Sequence, residues 1–347
     1  LATSSDHPQH PTAPTVPAGP SPLNGLLYGH IYSAAVRAVA VHRIADRLAD
    51  GPRAVEDLAK DCGLHADSLR RVLRLLAMHG LFSQDGSGAF GLTEAGRPLR
   101  TDVPGSQHAA ALFITDEMLR RASYGITDTL RTGETSFEAA YGRPFFEHLA
   151  ATPAARDLFD AGMASLSGRV VELVAGSYAF PDGGTVVDVG GGRGGFLRAV
   201  LSREPGLNGV LFDRPDTVSD HLLDAEELTG RWRVAAGDFF TGVPAGGDLY
   251  LLKNILHDWD DEDCLRILGA VRRAAAPGKR LLVVDAVLPD NGDPHPAVEL
   301  DMIMLMVLKG RERTAAEFES LLTRSGFRLN RVLPTPSLSS IIEAEAV

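Results

Sequence analysis

Val187-Asp188-Val189-Gly190-Gly191-Gly192-Arg193-Gly194-Gly195-Phe196 is the stretch on which the fold turns. It leaves a short apolar strand, Thr185–Val189, and enters a helix predicted over Phe196–Glu204. Glycines let a backbone approach a ligand closely, and a helix N-terminus offers free amides to it. A nucleotide-type ligand at such a turn wants an acid closing the next strand, where it accepts hydrogen bonds from ribose hydroxyls. Asp213, ending Gly209–Asp213, supplies it.

Downstream, strands and helices alternate. A helical stretch near 217–229 is followed by strands over Trp232–Ala236 and Asp248–Leu256, a helix over Asp261–Ala276 and a strand over Arg280–Val287. Such an alternation predicts an α/β fold with a parallel sheet and helices on both faces. The ending differs. Phe327–Leu333 and Ser340–Ala346 read as strands separated by Pro334-Thr335-Pro336, with no room for a crossover helix, so the last strand must return antiparallel.

That ending separates two fingerprints which overlap in the glycine turn. Gly190-x-Gly192-x-x-Gly195 is a dinucleotide spacing, and Asp188-x-Gly190-x-Gly192-x-Gly194 is a methyltransferase spacing. After the third strand, Asp238 and Phe239 suit an adenine, the carboxylate taking the exocyclic amine and the ring stacking; a turn with a packed Phe is the other reading. With the antiparallel strand, the methyltransferase spacing is favoured. His257 stands where the strand over Asp248–Leu256 ends, at the carboxyl edge where open α/β sheets bind ligands. Asp285 closes the neighbouring strand, which brings an imidazole and a carboxylate together. Asp260 to Asp263 read as a helix start with negative charge in its first turn rather than as a metal site. Glu312 precedes the helix Ala315–Ser325 and reads equally as helix-start charge.

Upstream, residues 108–178 read as all-helical with a turn-rich break from Gly133 to Gly142, and Phe145, Phe146, Phe159 and Met163 form a core-type stripe. Residues 54–97 carry a winged-helix pattern: two helices closed by Gly63 and Gly80, then a hairpin signal at Asp85-Gly86-Ser87-Gly88. Five Lys/Arg against six Asp/Glu between 54 and 97 argue for a structural role rather than for DNA binding. Leu26 to Leu48 carry apolar residues on more than one helical face, which fits a buried core helix or a subunit-interface helix. Residues 1–22, with proline at 8, 11, 14, 17, 20 and 22, read as an extended, disordered tail.

Composition narrows the function. The 347 residues are 44% hydrophobic and 23% charged, with 45 acidic against 34 basic side chains and a formal charge of −11. Clustered positive charge for nucleic acid or acidic membranes is missing. Cys62 and Cys264 lie far apart, which fits neither a structural zinc site nor a disulfide scaffold. Neither a signal peptide nor a spanning segment is predicted, so a cytoplasmic location is expected.

Residues 23–347 resemble the plant and bacterial small-molecule O-methyltransferases of the caffeate, hydroxyneurosporene and anthracycline type. The motifs in common are Asp188–Gly194, Asp213, Gly237-Asp238-Phe239, Leu252-Lys253 to Trp259, and Gly310–Thr314, in family order. The resemblance implies a class I methyltransferase, Rossmann-like sheet over 181–347. It implies a dimerisation domain containing the winged helix over 23–110, and a helical linker and substrate-pocket region over 111–180. It implies S-adenosylmethionine as cofactor, S-adenosylhomocysteine as product and no metal. Asp188, Gly190 and Gly192 would line the cofactor, Asp213 its ribose, Asp238 and Phe239 its adenine, with Trp259 over it, Lys253 reaching it, and Ser167 at its carboxylate end. His257 would be the catalytic base, with Asp285 and Glu312 as orienting acids. Asp285 stands where some members carry Glu. Phe159, Met163, Met304 and Leu308 fall on substrate-pocket positions, and Leu308 replaces a polar residue of the plant enzymes. The implied reaction is methyl transfer to a phenolic hydroxyl of an aromatic natural product by a homodimeric enzyme. Transfer to carbon or nitrogen, a non-methylating variant and, more remotely, a winged-helix regulator are the alternatives.

Overall fold

The structure, a computed structural model, describes residues 22–347. The tail read over 1–22 lies outside them except for Pro22, which opens the helix Pro22–Leu27. The chain forms two compact units, one ending at Arg97 and one running from Pro98 to Val347.

The first unit contains the helices Gly29–Val41, Val55–Cys62 and Ala66–Met78, followed by an antiparallel hairpin of β1 (Phe82–Gln84) and β2 (Phe90–Leu92). Leu58, Leu73, Leu76, Phe82 and Phe90 are buried, so the apolar faces of both helices and the wing share one core. Asp85 closes the wing by accepting from the backbone amides of Ser87 and Ala89. The helix expected through Leu48 stops at Val41, because Arg43 takes a left-handed φ of 51°, and a 3-10 turn covers Asp46–Leu48. Leu26 is 80% exposed, and Leu23, Leu27, Tyr28 and Ile31 are exposed with it.

The second unit is built on an eight-stranded sheet. Its strands are β3 (Gly184–Val189), β4 (Leu207–Asp213), β5 (Trp232–Ala236), β6 (Leu249–Lys253), β7 (Arg280–Leu288), β8 (Arg313–Thr314), β9 (Phe327–Pro334) and β10 (Ser339–Ala346). The order is β5-β4-β3-β6-β7-β10-β9, with β8 pairing β7. Strands β3 to β7 pair in parallel, and β10 runs antiparallel to both β7 and β9. The four residues between Pro334 and Ser339 allow only a hairpin, and that constraint inverts the last strand. Successive residues of β6 serve opposite faces. Tyr250 and Leu252 pack with Ile267 and Val283, whereas Leu249 and Leu251 pack with Leu197 and Leu282.

Local details depart from the pattern reading. The stretch near 217–229 is not one helix but a turn of helix at Pro215–Val218 and a 3-10 turn at Glu226–Leu228. The break from Gly133 to Gly142 contains a short helix, Ser136–Tyr141, whose Phe137 is fully buried. Strand β6 ends at Lys253, earlier than expected. Asn254 takes φ 53° and turns the chain into a 3-10 turn, Leu256–Asp258, so His257 lies on that turn and not on the strand. The helix His108–Ile114, which spans residue 110, packs on the long helix Pro153–Ala175 within the second unit. Asp260 caps the helix Asp261–Ala274 by accepting from the Asp263 amide. Among the described residues no helix is long and apolar enough to cross a membrane.

Candidate active site

At the carboxyl ends of β3, β4 and β6 the sheet opens into a cavity of about 540 Å³. The glycine turn forms its floor. Gly190 has φ 69°, and a Cβ there would overlap Ile255, so the strand-to-helix turn at this point admits only glycine. The Gly192 amide donates to Asp213 Oδ2 at 2.8 Å, which holds the acid at the end of β4 against the loop. Asp188 is buried and neither of its carboxylate oxygens has a hydrogen-bond partner among the described residues. Burial pushes its carboxyl up to about 7 despite the Lys253 ammonium nearby. Burial likewise lowers Lys253, with Asp188 and Asp285 opposing that shift.

All nine residues expected at the cofactor line this cavity: Asp188, Gly190, Gly192, Asp213, Asp238, Phe239, Lys253, Trp259 and Ser167. The helix Pro153–Ala175 supplies the opposite wall with Phe159, Met163 and Ser167. Arg156 of that helix donates to Asp160 at 2.9 Å, Thr217 at 3.2 Å and Asp216 at 3.4 Å, tying the wall to the loop after β4. Trp259 stacks with Phe146 at 6.3 Å and meets Phe240 edge-on at 4.8 Å, which makes one end of the cavity aromatic. Met304 and Leu308 are not on the cavity wall. Met304 is buried on the helix Ala297–Val307, and Leu308 packs against the same apolar cluster as Phe159 and Met163.

His257 is 6% exposed and sits just behind the wall formed by Ile255, Asp258 and Trp259. Its Nδ1 lies 2.8 Å from Glu312 Oε1, and its Nε2 faces Asp258 Oδ1 at 3.5 Å. Burial alone would lower this imidazole, but Asp258, Glu312 and Asp285 outweigh it and push it up to about 9. Asp285 is fully buried and hydrogen-bonds to nothing among the described residues, so it reaches His257 through charge alone. Burial, with Glu312 and Asp258 adding to it, raises its carboxyl to about 7. Glu312 is not helix-start charge. Thr314 caps the helix Ala315–Arg324 in a reciprocal pair with Glu317, while Glu312 is 3% exposed and its amide donates to Asp301.

Sequence reasoning passed over Asp258 and Arg313. Asp258 lies on the cavity wall beside Nε2, and its only signal in the sequence is adjacency to His257. Arg313 has no exposed surface and donates to the carbonyls of Leu256 and Trp259.

Residues 124–328 match the O-methyltransferase domain, and residues 24–102 match the O-methyltransferase dimerisation domain. The chain belongs to the O-methyltransferase family. A phenazine O-methyltransferase of Lysobacter antibioticus is 38% identical over 336 residues, 95% of this chain and 98% of that protein. The crystal structure of CalO1, a methyltransferase of calicheamicin biosynthesis bound to S-adenosylhomocysteine, is 42% identical. It covers 94% of this chain and 97% of its own with a TM-score of 0.86. An 8-amino-8-demethylriboflavin N,N-dimethyltransferase of Streptomyces davaonensis is 34% identical over 88% of this chain and 89% of its own. The cofactor of this O-methyltransferase is S-adenosylmethionine, and the cavity fits it. A glycine turn with positive φ at Gly190, Gly192 and Gly194 and no room for a side chain at Gly190 or Gly191, a buried carboxylate without a hydrogen-bond partner among the described residues, and an acid at the end of β4 are the features a charged nucleoside needs.

Proposed function

We propose that this O-methyltransferase methylates a phenolic hydroxyl of an aromatic small molecule in natural-product biosynthesis, with His257 as the proton acceptor. The observation that carries the reading is the 2.8 Å contact of His257 Nδ1 with Glu312 beside the cavity wall. Asp213 would hold the ribose, Asp238 and Phe239 the adenine, and Ser167 the carboxylate end. Trp259 would lie over the cofactor with Lys253 reaching it, and Phe159 and Met163 would flank the acceptor. The cofactor supplies an electrophilic methyl group. The protein's part is to hold the acceptor oxygen in line with it and to take the proton. A bond from Nδ1–H to Glu312 leaves Nε2 as the basic nitrogen, directed toward Asp258, which lines the cavity. A phenol ionises near ~10, so an imidazole raised to about 9 accepts its proton at little cost, where an ordinary His near ~6.5 would not. Asp285 and Glu312 stabilise the imidazolium that results.

The dimerisation match and the exposed Leu23, Leu26, Leu27, Tyr28 and Ile31 support a homodimer formed through the first unit. An amine acceptor is the second reading, supported by the riboflavin-type relative. The mass and fragmentation of the product formed from S-adenosylmethionine and a panel of phenols and arylamines test both. Methylation of amines with phenols untouched would overturn the first reading.

A further inference from the structure

The segment from Gly310 to Thr314 is shaped around the turn that carries His257. At Gly310 a Cβ would overlap the His257 carbonyl oxygen and the Asp258 backbone, so only glycine allows the segment so close. Glu312 grips the imidazole. Arg313 grips the backbone beneath it. Its Nη1 donates to Leu256 O at 2.8 Å and its Nη2 to Trp259 O at 2.9 Å, while Nε and Nη2 both reach Asp261 Oδ1.

The ion pair with Asp261 does not account for that burial. Asp261 is 42% exposed, and Arg311 at the surface already reaches it at 3.2 Å. Burying a guanidinium is costly unless every donor is matched. The matches that need a buried planar fork are the two carbonyls on either side of His257 and Asp258, and a lysine could not span them. Arg313 also faces the acid cluster, where its charge opposes the upward shift of Asp285.

We propose that Arg313 is a positioning residue for proton removal: it clamps both ends of the turn Leu256–Trp259 and so keeps the imidazole held by Glu312 in register with the cavity wall. The proposal rests on the reading of His257 as proton acceptor. The groups facing His257 are Asp258, Glu312 and Asp285, with Arg313 and Lys253 behind them.

The test uses full-length Arg313→Met, Arg313→Lys and, as a surface control, Arg311→Met. Turnover at saturating substrate, calorimetric affinity for S-adenosylmethionine and the pH profile of kcat are measured for each. A displacement of about 1 Å at reacting groups costs ~10²-fold. Arg313→Met should lose turnover on that scale with cofactor affinity within about threefold of the parent, and its kcat profile should move along the pH axis. Arg313→Lys should recover part of the loss, since an ammonium reaches one carbonyl, and Arg311→Met should stay near the parent. If Arg313→Met does not fold, Arg313→Lys carries the test: parental turnover with an unshifted profile overturns the proposal. So does an equal loss in Arg311→Met, or a loss of cofactor binding that matches the loss of turnover. Parental turnover in His257→Ala is a different result, because it defeats the proton-acceptor reading whatever the Arg313 variants do.

Discussion

Glu312 and His257 are 55 residues apart in sequence, yet Oε1 of one lies 2.8 Å from Nδ1 of the other and both side chains are buried. Charge-assisted hydrogen bonds of this kind are about twice as strong as neutral ones. The contact occupies Nδ1 and leaves Nε2 toward Asp258, which lines the cavity. His257→Ala should therefore lose at least ~10²-fold in turnover, while calorimetric affinity for S-adenosylmethionine stays near the parent's, because the cavity wall itself is intact. Turnover within about threefold of the parent at saturating acceptor, against the ~10² expected of a general base, would end the assignment.

Activity should climb with pH. With His257 raised to about 9, only about 1% of it is neutral at pH 7. For a phenol of ordinary acidity, kcat should rise about tenfold per pH unit and level off near 9. A profile already flat between pH 6.5 and 8 would show that the acid cluster does not hold the imidazole protonated.

Stability should respond to the same buried groups. Asp285 has its folded value raised to about 7 from 3.8, so its contribution is complete below about 4 and is lost as pH rises through 7. His257 behaves alike in a higher window, losing its contribution as pH climbs from 6.5 through about 9. Asp285→Asn removes the first window and keeps the shape of the site. Thermal melts of the variant should therefore fall less than the parent's between pH 4 and 7. Turnover should drop by less than in His257→Ala, since Asp285 holds His257 through charge and not by a hydrogen bond.

Cofactor affinity should depend on Asp213. Its Oδ2 accepts from Gly192 and its Oδ1 from Arg214, so the carboxylate is fixed before any ligand arrives. Asp213→Ala removes hydrogen bonds to a charged group, worth about 1.5–3 kcal/mol each. Calorimetry should show S-adenosylmethionine binding weakened by roughly tenfold or more. Unchanged affinity would remove Asp213 from the site.

Association should run through the exposed apolar residues ahead of the winged helix. Light scattering on the 37.0 kDa chain is expected to give twice that mass. Leu26→Glu together with Leu27→Glu should shift it toward the monomer while the second unit keeps binding cofactor. A parent that stays monomeric at micromolar concentration would contradict the homodimer.

Much of the catalytic unit was readable from the chain alone, because its signals are local. The turn Gly190–Gly195, the acid closing β4 and the apolar strands reveal themselves over ten residues or fewer, through glycine geometry and periodicity. The short link from Pro334 to Ser339 was enough to invert the last strand. Where local signals are ambiguous the pattern misled: Asn254, one left-handed residue, ends β6 early and moves His257 onto a turn.

The chemistry around His257 was decided by tertiary structure. Strand β8 pairs β7, with Arg313 opposite Val287, and that long-range register carries Glu312 to the imidazole and Arg313 beneath its turn. The sequence by itself determined the sheet, the glycine turn and the acids that line the cavity at the strand ends, because each follows from backbone preferences among near neighbours. Only the folded chain decided that Glu312 meets the ring, that Asp258 faces Nε2, that Asp285 has no hydrogen-bond partner among the described residues, and that Met304 and Leu308 lie off the cavity. Those outcomes depend on burial and on charges brought together from distant segments, and no local spacing encodes either.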